Sequence, residues 1–191
     1  MFPVVLNLSA IPVLLVGQGE RLERRRTQLK EAGAQHIVIF HPGEGRDPRL
    51  SVHERFEADA STGVYPSVGW GWHDIKIVLV AGLSYDDSKA IADYARAAGK
   101  LVNVEDMNEL CDFYFTANLR RGDLLIAVST SGASPALARR VRDKIADLFS
   151  EAWKDRTAEI AKCRRRWKNE GKSIQQVQEL TDQLLAEKGW L

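Results

Sequence analysis

Residues 12 to 40 constrain this chain more than any other stretch. Pro-Val-Leu-Leu-Val at 12–16 is a short apolar run that ends on Gly17 and reads as a buried strand. Residues 20–32 follow as a helix with a narrow apolar stripe of Leu22, Leu29 and Ala32, and Gly33 ends it. Ile-Val-Ile-Phe at 37–40 is a second strand. Strand, helix and strand in so short a span make a βαβ unit, whose strands must pair in parallel through a right-handed crossover.

The pattern then recurs with interruptions. Pro42, Gly43, Gly45 and Pro48 make residues 41–51 a loop. Val64 and Tyr65 are a candidate short strand, and residues 69–73 a turn carrying Trp70 and Trp72. Residues 75–81 form an apolar strand broken only by Lys76. Residues 86–98 read as a helix with Ile91, Tyr94 and Ala95 on one face, and residues 100–104 as another strand. The expected class is α/β, a doubly wound parallel sheet of about four or five strands. Past Asp112 the grammar changes. Residues 113–115 and 124–128 read as a hairpin joined near Arg120, Arg121, Gly122 and Asp123. Ser134 and Pro135 suit the N-cap and first position of a helix running to about residue 149. Residues 151–170 form a helix with Trp153, Ile160 and Trp167 on one face. Ser-Ile-Gln-Gln at 173–176 is a capping box for a last helix.

Charge bounds the partners. With 27 Lys and Arg against 26 Asp and Glu, no global field favours nucleic acid, and the basic run at 164–168 reads as a solvated helix face. No apolar run approaches the roughly 18 residues of a membrane span. The first residues lack the basic segment of a signal peptide. Two cysteines, Cys111 and Cys163, make no disulfide framework, so the expected compartment is reducing and cytoplasmic. The four histidines are scattered, and no metal site is expected.

Gly17, Gln18, Gly19, Glu20, Arg21 and Leu22 sit where a dinucleotide fingerprint belongs, after a strand and opening a helix. Two glycines permit a tight turn, and a helix N-terminus favours a pyrophosphate. The third glycine is replaced by Leu22, and the acid usual after the second strand is replaced by Phe40 and His41. On residue types alone the loop is either a nucleotide cradle or an empty βα turn. Asp106, just past the strand at 100–104, reads on the same terms as the cap of a short turn before Asn108.

Three segments together resemble the precorrin-2 dehydrogenase family, the N-terminal module of siroheme synthases. The first is Gly-Gln-Gly-Glu-Arg-Leu-Glu-Arg-Arg at 17–25, with Ala-Gly-Ala at 32–34. The second is Val-Asn-Val-Glu-Asp-Met-Asn-Glu-Leu-Cys-Asp-Phe at 102–113. The third is Ala-Val-Ser-Thr-Ser-Gly-Ala-Ser-Pro-Ala-Leu-Ala-Arg at 127–139. The resemblance covers residues 1–150 and is most specific from Val102 to Arg140. It implies a Rossmann-like NAD-binding domain at 1–112, a β-hairpin dimerisation and substrate region at 113–149, and a helical C-terminal domain at 150–191. It also implies a homodimer and NAD-dependent conversion of precorrin-2 to sirohydrochlorin, with ferrous iron insertion in some members.

Carried over position by position, the resemblance makes Asp106 the catalytic aspartate. Gly17, Gly19, Glu20, Arg21, His41, Pro42, Gly82 and Leu83 become the cofactor contacts. Arg120 and Arg139 are the candidate cations for a tetrapyrrole carrying eight carboxylates, because a guanidinium suits bidentate carboxylate binding. Ser129, Thr130 and Ser131 would shape the substrate cleft, with Ser131 standing where the family has glycine. An alternative stays open at this point: a divergent, non-catalytic relative that binds a tetrapyrrole or nucleotide.

Overall fold

The computed structural model describes residues 1–41, 56 and 71–191. Pro42, the rest of the loop read at 41–51 and the candidate strand at Val64 and Tyr65 lie outside the described residues. The chain divides into two compact units, Met1–Phe115 and Thr116–Leu191.

The first unit is built on four parallel strands, β1 (Val13–Gly17), β2 (Ile37–Phe40), β3 (Ile77–Ala81) and β4 (Leu101–Val104), in the order β2-β1-β3-β4. Every residue of β1 and β3 is buried. This is why both read as unbroken apolar runs rather than as alternations. The pleat sends Leu14, Val16, Val78 and Val80 to one face and Val13, Leu15, Ile77 and Leu79 to the other. Helix α1 (Gly19–Glu31) covers the second face with Leu22 and Leu29. Helix α2 (Tyr85–Ala97) covers the first with Ile91, Ala92 and Ala95, and Ser84 caps it by accepting from the Asp87 amide. Phe56 is fully buried there and meets Phe40, Trp72 and Tyr94 edge-on at 5.6–5.8 Å.

The hairpin expected from residues 113–115 does not form there. Its first strand is β5 (Ala117–Arg121), paired antiparallel with β6 (Leu124–Val128) around the two-residue turn of Gly122 and Asp123. The aromatic run belongs to the first unit instead, held alongside β4. The Asp112 amide donates to the Val102 carbonyl at 2.8 Å, and the Asp112 carboxylate accepts from the Val102 amide at 2.8 Å. Asn103 Nδ2 donates to the Phe113 carbonyl at 2.8 Å. These bonds give the edge strand β4 local partners, and Phe113 packs against the core face under α1.

In the second unit the hairpin packs against α3 (Pro135–Leu148) and α4 (Trp153–Asn169), and α4 against α5 (Ile174–Glu187). Ser134 caps α3, and Ser173 with Gln176 forms the expected capping box of α5. Of the face predicted on α4, Trp153 and Trp167 are buried and Ile160 is partly so. Among the described residues no helix is long and apolar enough to cross a membrane.

Candidate functional site

The strand order changes direction between β1 and β3: the chain leaves β1 toward β2 and later passes β1 to add β3 and β4. Open parallel sheets bind ligands outside the carboxyl ends of the strands at such a point. Here those ends carry the two glycine turns. Gly17 has φ 149°, and a Cβ on it would lie 1.8 Å from the Ala81 carbonyl oxygen. Gly82 has φ 72°, and its Cβ would lie 2.4 Å from the Gln18 carbonyl oxygen. Both are therefore required by the close approach of the two loops, which the Gln18 amide ties by donating to the Ala81 carbonyl at 3.2 Å.

A cleft of about 620 Å³ opens over these turns, lined by Gln18, Gly19, Glu20, Arg21, Gly82 and Leu83. Its floor is the N-terminus of α1. Gln18, at the N-cap, makes no side-chain capping bond, unlike the serines ahead of α2, α3 and α5. Among the described residues the first amides of α1 thus lack a capping side chain, and they and the helix dipole suit an anionic group. Of the expected cofactor contacts, Gly19, Glu20, Arg21, Gly82 and Leu83 line this cleft, and Gly17 forms the turn beneath it. His41 is half-buried directly after β2 and is not among the lining residues.

Asp106 occupies a tight bend after β4. Val104, Glu105, Asp106 and Met107 form a turn closed by the Met107 amide on the Val104 carbonyl at 3.4 Å. Asp106 takes φ 61°, a left-handed conformation that Asp tolerates better than most side chains. The capping role open on residue types alone is not what the structure shows. The short 3₁₀ turn Asn108–Leu110 follows Met107 and has no side-chain cap. The Asp106 carboxylate instead lies 3.3 Å from Arg21 Nη1, at the cleft. Cys111 braces the bend from inside: its Sγ lies 3.2 Å from the Val104 carbonyl oxygen and 3.3 Å from that of Met107, and accepts from the Val104 amide at 3.2 Å. Burial pushes this thiol up from its ordinary pKa.

Next to Asp106 stands a residue that sequence reasoning missed. Glu105 is the one buried charged residue among the described residues. Its Oε1 lies 2.5 Å from Arg24 Nη2 and 3.7 Å from Arg25 Nε, both on α1. Arg25 is itself nearly covered, with its guanidinium 4.3 Å over the Phe115 ring. Burial lowers the Arg25 pKa, whereas the bond to Glu105 raises that of exposed Arg24. The sequence shows the parts of this pair but not their meeting. Arg24 and Arg25 lie one helical turn after Arg21, and Glu105 directly follows β4, whose last three residues are buried.

The remaining predicted residues lie in the second unit. Arg120 and Arg139 are exposed. Neighbouring Arg121 is structural: its Nε donates to the Phe149 carbonyl at 2.9 Å and its Nη1 pairs with Glu151 at 3.1 Å. Residues 129–134 form a self-bonded loop ahead of α3. Thr130 Oγ1 bonds both the amide and the carbonyl of Ser134, at 3.0 and 3.1 Å, and the Ser131 amide donates to Ser129 Oγ at 3.1 Å. Among the described residues no group of three His, Cys, Asp or Glu gathers as a metal site. In the basic run of α4, Arg164 donates to Thr181 and Arg166 pairs with Glu170.

Comparison with known proteins agrees with this layout. The putative NAD(P)-binding family model matches residues 4–117, and the model of the sirohaem biosynthesis protein central region matches residues 121–148. The chain belongs to the siroheme synthase N-terminal family. The siroheme synthase of Methylococcus capsulatus is 36% identical over 150 residues, which are 75% of this chain and 29% of that protein. That of Neisseria meningitidis serogroup C is 29% identical over 88% of this chain and 33% of its own length. Siroheme synthase 1 of Cronobacter sakazakii is 34% identical over 83% of this chain and 33% of its own. The chain thus spans about a third of the curated relatives it matches. The solved structure of SirC, precorrin-2 dehydrogenase, shares the fold with a TM-score of 0.66 at 22% identity, covering 97% of this chain and 89% of that one.

Departures from the siroheme synthase family pattern have local explanations. Leu22, in place of the third glycine, is buried against Val13, Leu15, Ile77 and Leu79, so α1 rests on the sheet through a leucine. Ser131, in place of glycine, keeps the left-handed backbone that glycine would supply, at φ 55°. Arg21 is the departure that reaches Asp106.

Proposed function

We propose that this chain catalyses the NAD-dependent dehydrogenation of precorrin-2 to sirohydrochlorin in siroheme biosynthesis, in the cytoplasm. One observation carries the reading. The Asp106 carboxylate stands 3.3 Å from Arg21, which itself lines the cleft at the switch point of an NAD(P)-binding fold. A nucleotide site and a carboxylate at its edge are what a hydride transfer coupled to proton loss requires.

The residues of the cleft fit a dinucleotide. The uncapped amides of α1 suit its pyrophosphate, and the glycines at 17 and 82 let the backbone come close. Gly17, Gly19, Glu20, Arg21, Gly82 and Leu83 would hold it, with His41 and Pro42 contributing from the end of β2. When bound, NAD supplies the hydride acceptor. The chain supplies the rest. Asp106 takes the proton released as the macrocycle loses a hydride, and Arg21 orients that carboxylate. Arg120 and Arg139 bind substrate carboxylates, and Ser129, Thr130 and Ser131 shape the wall beside them. Ferrous iron insertion, where it occurs, would use Asp106 to help deprotonate the pyrroles. We assign cofactor binding to 1–112, dimerisation and substrate contacts to 113–149, and a helical support to 150–191.

The partner we propose is a second copy of the chain. Supporting this, α3 leaves Leu137, Val141 and Leu148 exposed, and among the described residues the β5–β6 sheet has two strands. Light scattering should give twice the chain mass, and a monomer across micromolar concentrations would contradict it.

Anaerobic incubation of the protein with precorrin-2 and NAD tests the catalytic reading. The expected result is sirohydrochlorin formation by the wild type. Asp106→Ala should bind NAD but show no turnover. A protein that binds NAD and the tetrapyrrole without forming product would support the alternative of a non-catalytic relative.

A further inference from the structure

We propose that Glu105 is a positioning residue for Asp106, holding the Asp106 turn against the basic face of α1. This deepens the reading of Asp106 given above and rests on it.

The Asp106 turn spans Val104 to Met107. Glu105 and Asp106 are its two central residues, and they have opposite surroundings. The Asp106 side chain is two-thirds exposed and its backbone is left-handed, so little in its own contacts enforces that bend. The Glu105 side chain is 2% exposed, and its amide donates to the Val80 carbonyl at 2.9 Å, so it is fixed to the end of the sheet. Its Oε1 meets Arg24 and Arg25, while its Oε2 is buried without a hydrogen-bond partner among the described residues. A buried carboxylate bonded through one oxygen depends on those two guanidiniums.

Arg24 and Arg25 belong to the helix whose first turn lines the cofactor cleft, and Arg21, one turn earlier, pairs with Asp106. Two links therefore join α1 to this bend: a buried one through Glu105 and an exposed one through Asp106. An exposed pair is a weak restraint, and the buried one dominates the geometry. Glu105 is not among the residues that line the cleft, so it acts through Asp106.

Glu105→Gln removes the charge at nearly constant shape, and exposed Arg24→Gln removes its main partner without opening the core. Crystal structures of both should show Asp106 leaving the left-handed turn or losing contact with Arg21. With precorrin-2 and NAD, kcat should fall by about 10- to 100-fold, the loss expected from small misplacement of a reacting group. The KM for precorrin-2 and the affinity for NAD should stay within about twofold, since the cleft contacts remain. The double variant should be no slower than the worse single one, because both act through one pair. Unchanged Asp106 geometry, or wild-type kcat in both folded variants despite a lowered melting temperature, would overturn the proposal. If the wild-type chain itself shows no turnover, the dehydrogenase reading falls, and the crystal structures still decide whether Glu105 sets the turn.

Discussion

Asp106 and Glu105 are adjacent carboxylates with opposite surroundings, and the difference defines what each can do. Asp106 is exposed and shares an ion pair with Arg21, which lines the cleft. Such a pair contributes at most about 1 kcal/mol to stability. Asp106→Asn keeps the side-chain size and tolerates the left-handed backbone, but cannot take a proton. The expected result is a fall in kcat of about 100-fold or more, the range of general-base contributions. Stability by denaturant titration should change by less than about 1 kcal/mol. An Asn variant with wild-type kcat would show that Asp106 only orients the substrate. Asp106 was legible in the sequence through the pattern around it. Glu105 was not, because a glutamate at the end of a strand reads as a solvated residue. Its burial depends on two arginines, Arg24 and Arg25, far earlier in the chain, a tertiary fact that no local pattern encodes.

At the scale of elements, β1, α1 and β2 were readable because their periods and glycine punctuation agree with one another. The serine caps were readable because capping is local chemistry, and Ser134 and Ser173 both cap as expected. Ser173→Ala should lower the unfolding free energy by about 1 kcal/mol, read from a urea titration. An unchanged midpoint would mean that α5 is held by packing alone. The aromatic run at 113–115 misled for a physical reason. Phe and Tyr are enriched in strands, but there the hydrogen bonds near β4 go to Asp112 and Asn103 side chains. The loops at the sheet's carboxyl edge carry a sharper expectation. Gly82→Ala would drive a Cβ to 2.4 Å from the Gln18 carbonyl oxygen and force the glycine loop to move. NAD affinity should drop at least about tenfold in calorimetry, a loss near 1.4 kcal/mol. Wild-type affinity in that variant would detach the cleft from cofactor binding.

On the scale of the whole molecule, the chain joins a parallel-sheet unit to a hairpin-and-helix unit. The first carries the NAD(P)-binding family match and the second the sirohaem central match. The proposed chemistry divides the same way, with cofactor and Asp106 in the first and the substrate cations Arg120 and Arg139 in the second. The sequence changes grammar after Asp112, from βαβ to a hairpin and amphipathic helices, and the two units divide between Phe115 and Thr116. The central claim is that the cleft and Asp106 together run a dehydrogenation, and product stoichiometry tests it most directly. With precorrin-2, NAD and the purified chain under anaerobic conditions, sirohydrochlorin and NADH should appear together in equal amounts, and neither should form when NAD is omitted. Sirohydrochlorin forming no faster than without the protein, while NAD remains bound and unreduced, would contradict it.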